Sequence, residues 1–263
     1  MPTKVPDDMV TITLVGGPTA LVEMRGLRIL TDPTFDPPGR YQVGAVTFTK
    51  RIGPAIAASA LEPIDLVVLS HEQHVDNLDR AGRAFLAKAK RVMTAASGAP
   101  RLGNVAEGLE PWQHADIATP SGSRLRVTAT PARHGPAGIE PISGDVIGFA
   151  LTPDDGHGPT VYVSGDTVWY PGVAEVARRF DVRLAILFTG AAQPREPYHV
   201  TMDSNDAIEA AHAFPEATIV AIHNEGWSHF TQSQRDLALA FDALGLQGRL
   251  QWLEPGVAVS LPL

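Results

Sequence analysis

The sequence predicts an α/β fold: a four-layer αββα sandwich of two mixed sheets with helices on the outside. Three observations predict it. Short runs rich in Val, Ile and Leu, the composition of buried strands, recur through the chain. Their order is strands, helix–strand units, strands, then helix–strand units again, which suits two sheets that each carry an outer helical layer. Apolar residues are 44% of the 263 and charged residues 19%, so a substantial core can be buried. No repeat and no clear linker divides the chain, and residues 1–263 are read as one domain.

Met9 to Val15 alternates apolar and β-branched polar residues and reads as a strand with one buried face. Thr19 to Met24 and Leu27 to Leu30 follow across tight links, so the first three strands are expected to form an antiparallel meander ended by Thr31-Asp32-Pro33. Phe35 to Pro54, rich in Pro and Gly, reads as a long surface loop. Ile64 to Leu69 is a buried strand and Arg80 to Lys90 a helix. Arg91 to Thr94 is a short strand, and Ala95 to Gly103 a helix with a glycine stop. Leu125 to Thr130 and Asp145 to Leu151 are strands, and Asp154-Asp155-Gly156 is a turn. Thr160 to Val163 and Leu184 to Phe188 are strands that flank a helix at Val173 to Phe180. Met202 to Phe214 is a helix capped by Asp203 or Ser204. Thr218 to Ile222 is a buried strand, Ser233 to Leu244 a helix stopped by Gly245, and Leu250 to Leu253 and Val257 to Leu261 are closing strands.

The formal net charge is −8 and the pI about 5.5, with no Lys/Arg block, which argues against nucleic-acid binding. There are no cysteines, so disulfides, thiolate metal sites and a cysteine nucleophile are all excluded. The first residues lack a basic-then-apolar signal pattern, and no apolar run reaches the ~18 residues of a membrane span. The expectation is a soluble cytoplasmic protein acting on a small molecule, away from membranes. The oligomeric state, a homo-oligomer included, is left open.

The chemistry concentrates where apolar strands end. Val67-Val68-Leu69-Ser70 is followed by His71, with His74, Asp76 and Asn77 close behind. Val127 to Ala132 leads to Arg133-His134, Val161 to Gly165 to Asp166, and Ile219 to Ile222 to His223. A single histidine after a strand is more often structural than a ligand. Four such endings on one edge of a sandwich converge in space and can form one site. Histidine and carboxylate together suit zinc, manganese or iron, and the histidine-rich set disfavours magnesium.

His71/His74/Asp76, His134, Ser164-Gly165-Asp166-Thr167 and His223 together resemble the ordered motifs of the metallo-β-lactamase-fold hydrolases. Thr31-Asp32-Pro33 after a strand is similar to the ascorbate-6-phosphate lactonase-like branch. The resemblance runs from about Val10 to the C-terminus. It implies the αββα sandwich, a metal site between the sheets and hydrolysis by a metal-bound hydroxide. It also implies that His71, His74 and His134 hold a first metal, and that Asp76 and His223 hold a second, with Asp166 bridging. The sequence departs from the H-x-H-x-D-H motif in two ways. One extra residue separates the histidines, so that strict register would put Glu72 in place of His71, and the last histidine is Asn77. His71 is preferred because it directly follows the strand and Ser70.

The expected cofactor is therefore a divalent metal, zinc or manganese, as one or two ions. Asp76 would orient the attacking hydroxide or take its proton when it is not itself a ligand. His229, in Asn224-Glu225-Gly226-Trp227-Ser228-His229-Phe230, either replaces the ligand lost at Asn77, hydrogen-bonds the substrate, or simply packs beside Trp227 and Phe230. Trp169-Tyr170 and Tyr198-His199 are read as pocket-lining or packed aromatics, and His114, His157 and His212 as exposed or structural. Asp79 is expected to cap the next helix, and Glu72 to play a supporting or capping role. The resemblance to the lactonase-like branch implies hydrolysis of a lactone or ester as the expected reaction. Phosphodiester hydrolysis and a non-catalytic metal- or ligand-binding relative are the alternatives. Thioester hydrolysis fits less well because it normally keeps both metals.

Overall fold

The computed structural model describes residues 6–44, 46–153, 156–195 and 197–263. Asp154 and Asp155 of the expected Asp-Asp-Gly turn, and the first five residues, lie outside the described residues.

Alternation in Met9–Gly16 sends Val10, Ile12 and Leu14 to one face of a strand and Thr11 and Thr13 to the other. The strand pairs antiparallel with Thr19–Met24, which pairs antiparallel with Leu27–Thr31, giving the expected meander. Arg25 and Gly26 both lie in the left-handed region, at φ 49° and 76°, as a tight two-residue hairpin requires. Ile64–Val68, Ala89–Ala95 and Glu107–Leu109 add in parallel, and Ala258–Pro262 closes the opposite edge. The second seven-stranded sheet runs, in spatial order, Leu250–Gln251, Thr218–Ile222, Asp181–Phe188, Pro159–Val163, Ile147–Pro153, Arg124–Pro131 and His114–Ala118.

The two inner faces form one core. Ile12, Val22, Ile29 and Leu66 from the first sheet meet Val127, Phe149, Val161, Ile186 and Val220 from the second. Outside the second sheet, helices Pro171–Arg179, Ser204–Ala213 and Gln234–Ala243 cover Ala185, Leu187, Ile219 and Ala221. Outside the first, Phe85, Leu86 and Leu61 cover Leu21, Leu30 and Val67. These are the four expected layers. Caps agree with the sequence: Asp203 caps one helix, and Ser233 forms a reciprocal capping box with Asp236 on another.

Several expectations need correction. Phe35 to Pro54 is not a structureless loop but carries a hairpin, Gly39–Val43 paired with Val46–Lys50. The expected helix from Arg80 ends at Phe85, and a 3-10 turn then leads into a strand that starts at Ala89, because pairing with Ile64–Val68 claims those residues. The expected helix from Ala95 to Gly103 shrinks to Ala99–Leu102, since the strand holds Ala95 and Gly103 takes φ 69°. The strand expected to Leu253 stops at Gln251. Two further short helices, Ala58–Leu61 and Glu140–Ser143, and the edge strands Glu107–Leu109 and His114–Ala118 went unforeseen, being too short to show a period. Among the described residues, no helix is long and apolar enough to cross a membrane.

Candidate metal centre

Strands Arg124–Pro131, Pro159–Val163, Asp181–Phe188 and Thr218–Ile222 run in one direction, so His134, Asp166 and His223 leave the second sheet at one edge. The first sheet delivers the Ser70–Asp79 stretch to that same edge. Ile147 N–H donates to Ser70 O at 3.2 Å, and His223 N–H to Gly17 O at 2.9 Å. His223 makes its turn at φ 56°, a conformation that side-chain-bearing residues seldom adopt. Gly165, at φ 60°, turns the chain before Asp166; a Cβ there would lie 2.7 Å from Ile147 O.

Hydrogen bonding sets the imidazoles. Ser70 Oγ donates to Asp32 Oδ1 at 2.6 Å, so its single proton is spent there and His71 Nδ1, 2.9 Å away, must donate to Ser70 Oγ. His134 Nδ1 faces the carbonyl of Val200 at 2.7 Å and must donate too. Both Nε2 atoms therefore present lone pairs. They point at His74 Nδ1, at 2.8 Å from His71 and 3.1 Å from His134. One His74 proton cannot satisfy two lone pairs, whereas a cation among the three nitrogens satisfies all of them. Asp166 Oδ2 lies 3.7 Å from His134 Nε2 and 4.0 Å from His71 Nε2, which completes a four-residue cluster able to hold a metal ion.

A second group adjoins it. Asp166 Oδ1 lies 3.4 Å from His223 Nε2, His223 Nε2 is 3.7 Å from Asp76 Oδ2, and Asp76 Oδ2 is 2.8 Å from His229 Nε2. Both His223 ring nitrogens and Asp166 Oδ1 are buried without a hydrogen-bond partner. Buried polar atoms seldom stay unpaired, and such a cluster of orphans marks a place where an ion fits. Nitrogen and oxygen donors in these numbers fit zinc or manganese.

Protonation states agree. Burial, and then the charge of His74, holds His71 well below the ordinary histidine value. Burial brings His134 down to about 4, so both rings are neutral at pH 7. Burial would raise Asp76, but His229 and His223 outweigh it and hold the carboxylate well below its usual range. Asp166 behaves alike, with His223 and His134 outweighing burial. Asp32, beneath Ser70, is pushed up by burial to about 8 despite the Ser70 hydrogen bonds.

The structure thus brings His71, His74, His134, Asp166, Asp76, His223 and His229 together. Glu72 turns away to pair with Arg101, and His71 lies in the cluster in its place. Asn77 is fully buried, and both of its side-chain polar atoms lack a hydrogen-bond partner. Asp79 caps helix Arg80–Phe85 through Gly82 N–H at 2.8 Å, as expected, and also pairs with the buried Lys50. Tyr198 lines the site cavity, whereas His199 pairs with Asp206, and Trp169 and Tyr170 join Arg133 in a separate surface cleft. His114, His157 and His212 are exposed.

A cavity of about 380 Å³ opens over His74, Asp76, His134 and His229. Its walls come from the hairpin (Val43, Val46, Phe48) and from Ile139 to Gly144. Whether Phe35 to Pro54 closes over the site is left open by the sequence, and the wall at Ile139 to Gly144 went unforeseen. The alternation Tyr41, Val43, Val46, Phe48 was the available signal for the first.

Comparison with known proteins agrees with this geometry. The chain is 25% identical over 237 residues to the UPF0173 protein YddR of Bacillus subtilis, covering 86% of this chain and 90% of that one. Isothiocyanate hydrolase from Delia radicum gut bacteria superposes with a TM-score of 0.81 at 22% identity, covering 96% of this chain and all of the other. A possible metal-dependent hydrolase from Veillonella parvula superposes with a TM-score of 0.83 at 21% identity and the same coverage. The fold is that of the metallo-β-lactamases, and, with the Beta-lactamase superfamily domain matching residues 27–224, the chain belongs to that family.

Proposed function

We propose that the chain is a metal-dependent hydrolase that acts on a lactone or ester of a small molecule. The observation that carries this is the convergence of lone-pair-bearing imidazoles and buried carboxylates at the floor of an apolar cavity. His71, His74 and His134 would hold one divalent ion, and Asp76, His223 and His229 a second, with Asp166 between them. His229 then stands in for the histidine that Asn77 replaces. Such ions supply Lewis acidity and a water whose pKa falls from about 15.7 toward about 7.

The chain's own residues do the rest. Ser70 and the Val200 carbonyl fix the His71 and His134 tautomers. Asp76, anionic and lining the cavity, orients the attacking water as a hydrogen-bond acceptor, and would take its proton only where its carboxylate is not itself a ligand. The hairpin and the Ile139–Gly144 segment shield the reacting carbonyl from bulk water.

A carboxylic ester is favoured over a phosphodiester because Arg195 is the one Lys or Arg among the described residues lining the cavity, too little to balance a permanent anion. The isothiocyanate acted on by the Delia radicum gut bacterial relative is also a neutral electrophilic carbon, and the same cavity chemistry would accept one.

The test is elemental analysis of protein purified without chelators, together with chelator-sensitive turnover of chromogenic esters. About two ions per chain are expected, falling to about one in His229→Ala. Two ions retained in that variant would remove His229 from the site. Metal bound without turnover on any ester or phosphodiester would favour the binding-only relative. No metal after adding zinc or manganese would end the hydrolase reading.

A further inference from the structure

The hairpin register pairs Tyr41 with Phe48 and Val43 with Val46, which puts these four side chains on one face and Arg40, Gln42, Thr47 and Thr49 on the other. A hairpin with one apolar face normally lays it on a core. This one does not: Val43, Val46 and Phe48 belong to none of the core clusters and line the cavity over the metal centre instead. Across the opening stand Ile139, Pro141 and Ile142. Ile142 is 64% exposed and Val43 40%, so two large apolar side chains flank the entrance largely uncovered by the described residues.

The hairpin is also held in place. Its root bonds to the loop before His229 through Arg51 N–H to Gly226 O at 2.6 Å, Ser228 N–H to Thr49 O at 2.9 Å and Thr49 N–H to Ser228 Oγ at 3.2 Å. Lys50 locks it further through the buried pair with Asp79. The apolar face is thus braced above the site and cannot fold down on a core. Something apolar that enters with the substrate must cover it.

We infer that the non-reacting part of the substrate is an uncharged apolar chain, clamped between Val43, Val46 and Phe48 on one side and Ile139 and Ile142 on the other. The inference rests on the hydrolase reading for the reacting end only. The clamp itself is a property of the cavity walls.

The test uses the metal-loaded protein and p-nitrophenyl acetate, butyrate and hexanoate. The ratio kcat/KM should rise by up to roughly fourfold for each buried methylene. Ile142→Asp should lower the hexanoate-to-acetate ratio at least roughly tenfold. Circular dichroism and metal content should match the parent, since Ile142 is exposed; Val43→Asp serves as the second variant. In parallel, ligand-observed NMR measures binding of straight-chain methyl ketones, from butanone to octanone, which cannot be hydrolysed. Ketone affinity that climbs with chain length, and falls in Ile142→Asp, supports the clamp even if every ester fails, and that failure then counts against the hydrolase reading alone. Chelator-sensitive ester turnover with flat ester and ketone series overturns the clamp and leaves the hydrolase reading standing.

Discussion

Replacing Lys50 with methionine should cost the fold roughly 3 kcal/mol. Lys50 is the last residue of the hairpin. Its Nζ sits 3.1 Å from Asp79 Oδ2, and the two side chains are 4% and 0% exposed. Removing one partner of a buried pair costs roughly 3–5 kcal/mol, because the other charge is left behind without water. The lower end applies for two reasons. Asp79 keeps three backbone donors, Gly82 N–H at 2.8 Å, Phe35 N–H at 3.0 Å and Asp36 N–H at 2.6 Å. Methionine also keeps an unbranched apolar side chain of similar length in the buried position, losing besides the pair only the distant approach of Nζ to the Trp227 ring at 5.7 Å. For a chain of this size 1 kcal/mol moves Tm by roughly 2–4 °C, so a fall of roughly 6–12 °C is expected. Urea unfolding of metal-stripped protein isolates this term from metal binding. A loss below about 1 kcal/mol would mean that the pair behaves as a solvated surface bridge, and would refute the reasoning.

Three further outcomes are expected. In metal-stripped protein, folded Asp32 titrates at about 8 against an ordinary 3.8, so between those values the native state holds a proton the unfolded chain has lost. Stability should then fall as pH rises, by at most roughly 1.4 kcal/mol per pH unit. Asp32→Asn keeps an acceptor for the two Ser70 donors and cannot titrate, so its stability relative to the parent should climb across that window; parallel melting curves would sink the assignment. Gly165→Ala puts a Cβ 2.7 Å from Ile147 O and 2.8 Å from Ser70 Cβ at φ 60°, and should cost more than roughly 2 kcal/mol, read by thermal melts alongside metal content. Chelation should lower Tm reversibly: an ion at a hundred times its Kd contributes about 2.7 kcal/mol, so a shift below about 2 °C on zinc or manganese addition would contradict a built site.

The layers and the site were legible for one shared reason. Buried strands such as Val67-Val68-Leu69 and Ile219-Val220-Ala221-Ile222 announce themselves by composition, and a strand that ends in the core's edge announces its ligand by position. His71, His134, Asp166 and His223 are all of this kind. The hairpin at Gly39–Lys50 was hidden because its turn signals, Pro37-Pro38-Gly39 and Gly44, interrupt two short strands, and because its apolar face meets a cavity rather than a core. The Arg80 helix was overestimated for the opposite reason: local periodicity continues past Phe85, while non-local pairing of Ala89–Ala95 decides the outcome. His229 could be suspected from the loss at Asn77, but not assigned. Its approach to Asp76 is a contact across 153 positions that no local pattern encodes.

That long-range contact divides the centre into two mechanically different halves. His71, His134 and Asp166 hang from the ends of packed strands, and His71 and His134 are further fixed by Ser70 and the Val200 carbonyl. Neither of those two supports comes from the hairpin. His229 sits on a loop braced by the hairpin root through Ser228 and Gly226 and by Gln193 N–H to its own carbonyl at 2.8 Å, and its ring rests edge-on against Phe48 at 4.9 Å. The element that covers the cavity and the ligand that completes the second group are therefore one unit. Bistable or loosened elements couple sites only when both sites bear on them, and here the substrate's apolar chain and the second ion both do. Weakening the hairpin root at Lys50 should accordingly empty the second position in equilibrium dialysis while the His71/His74/His134 position keeps its ion. Simultaneous loss of both ions would show instead that the centre behaves as a single rigid body.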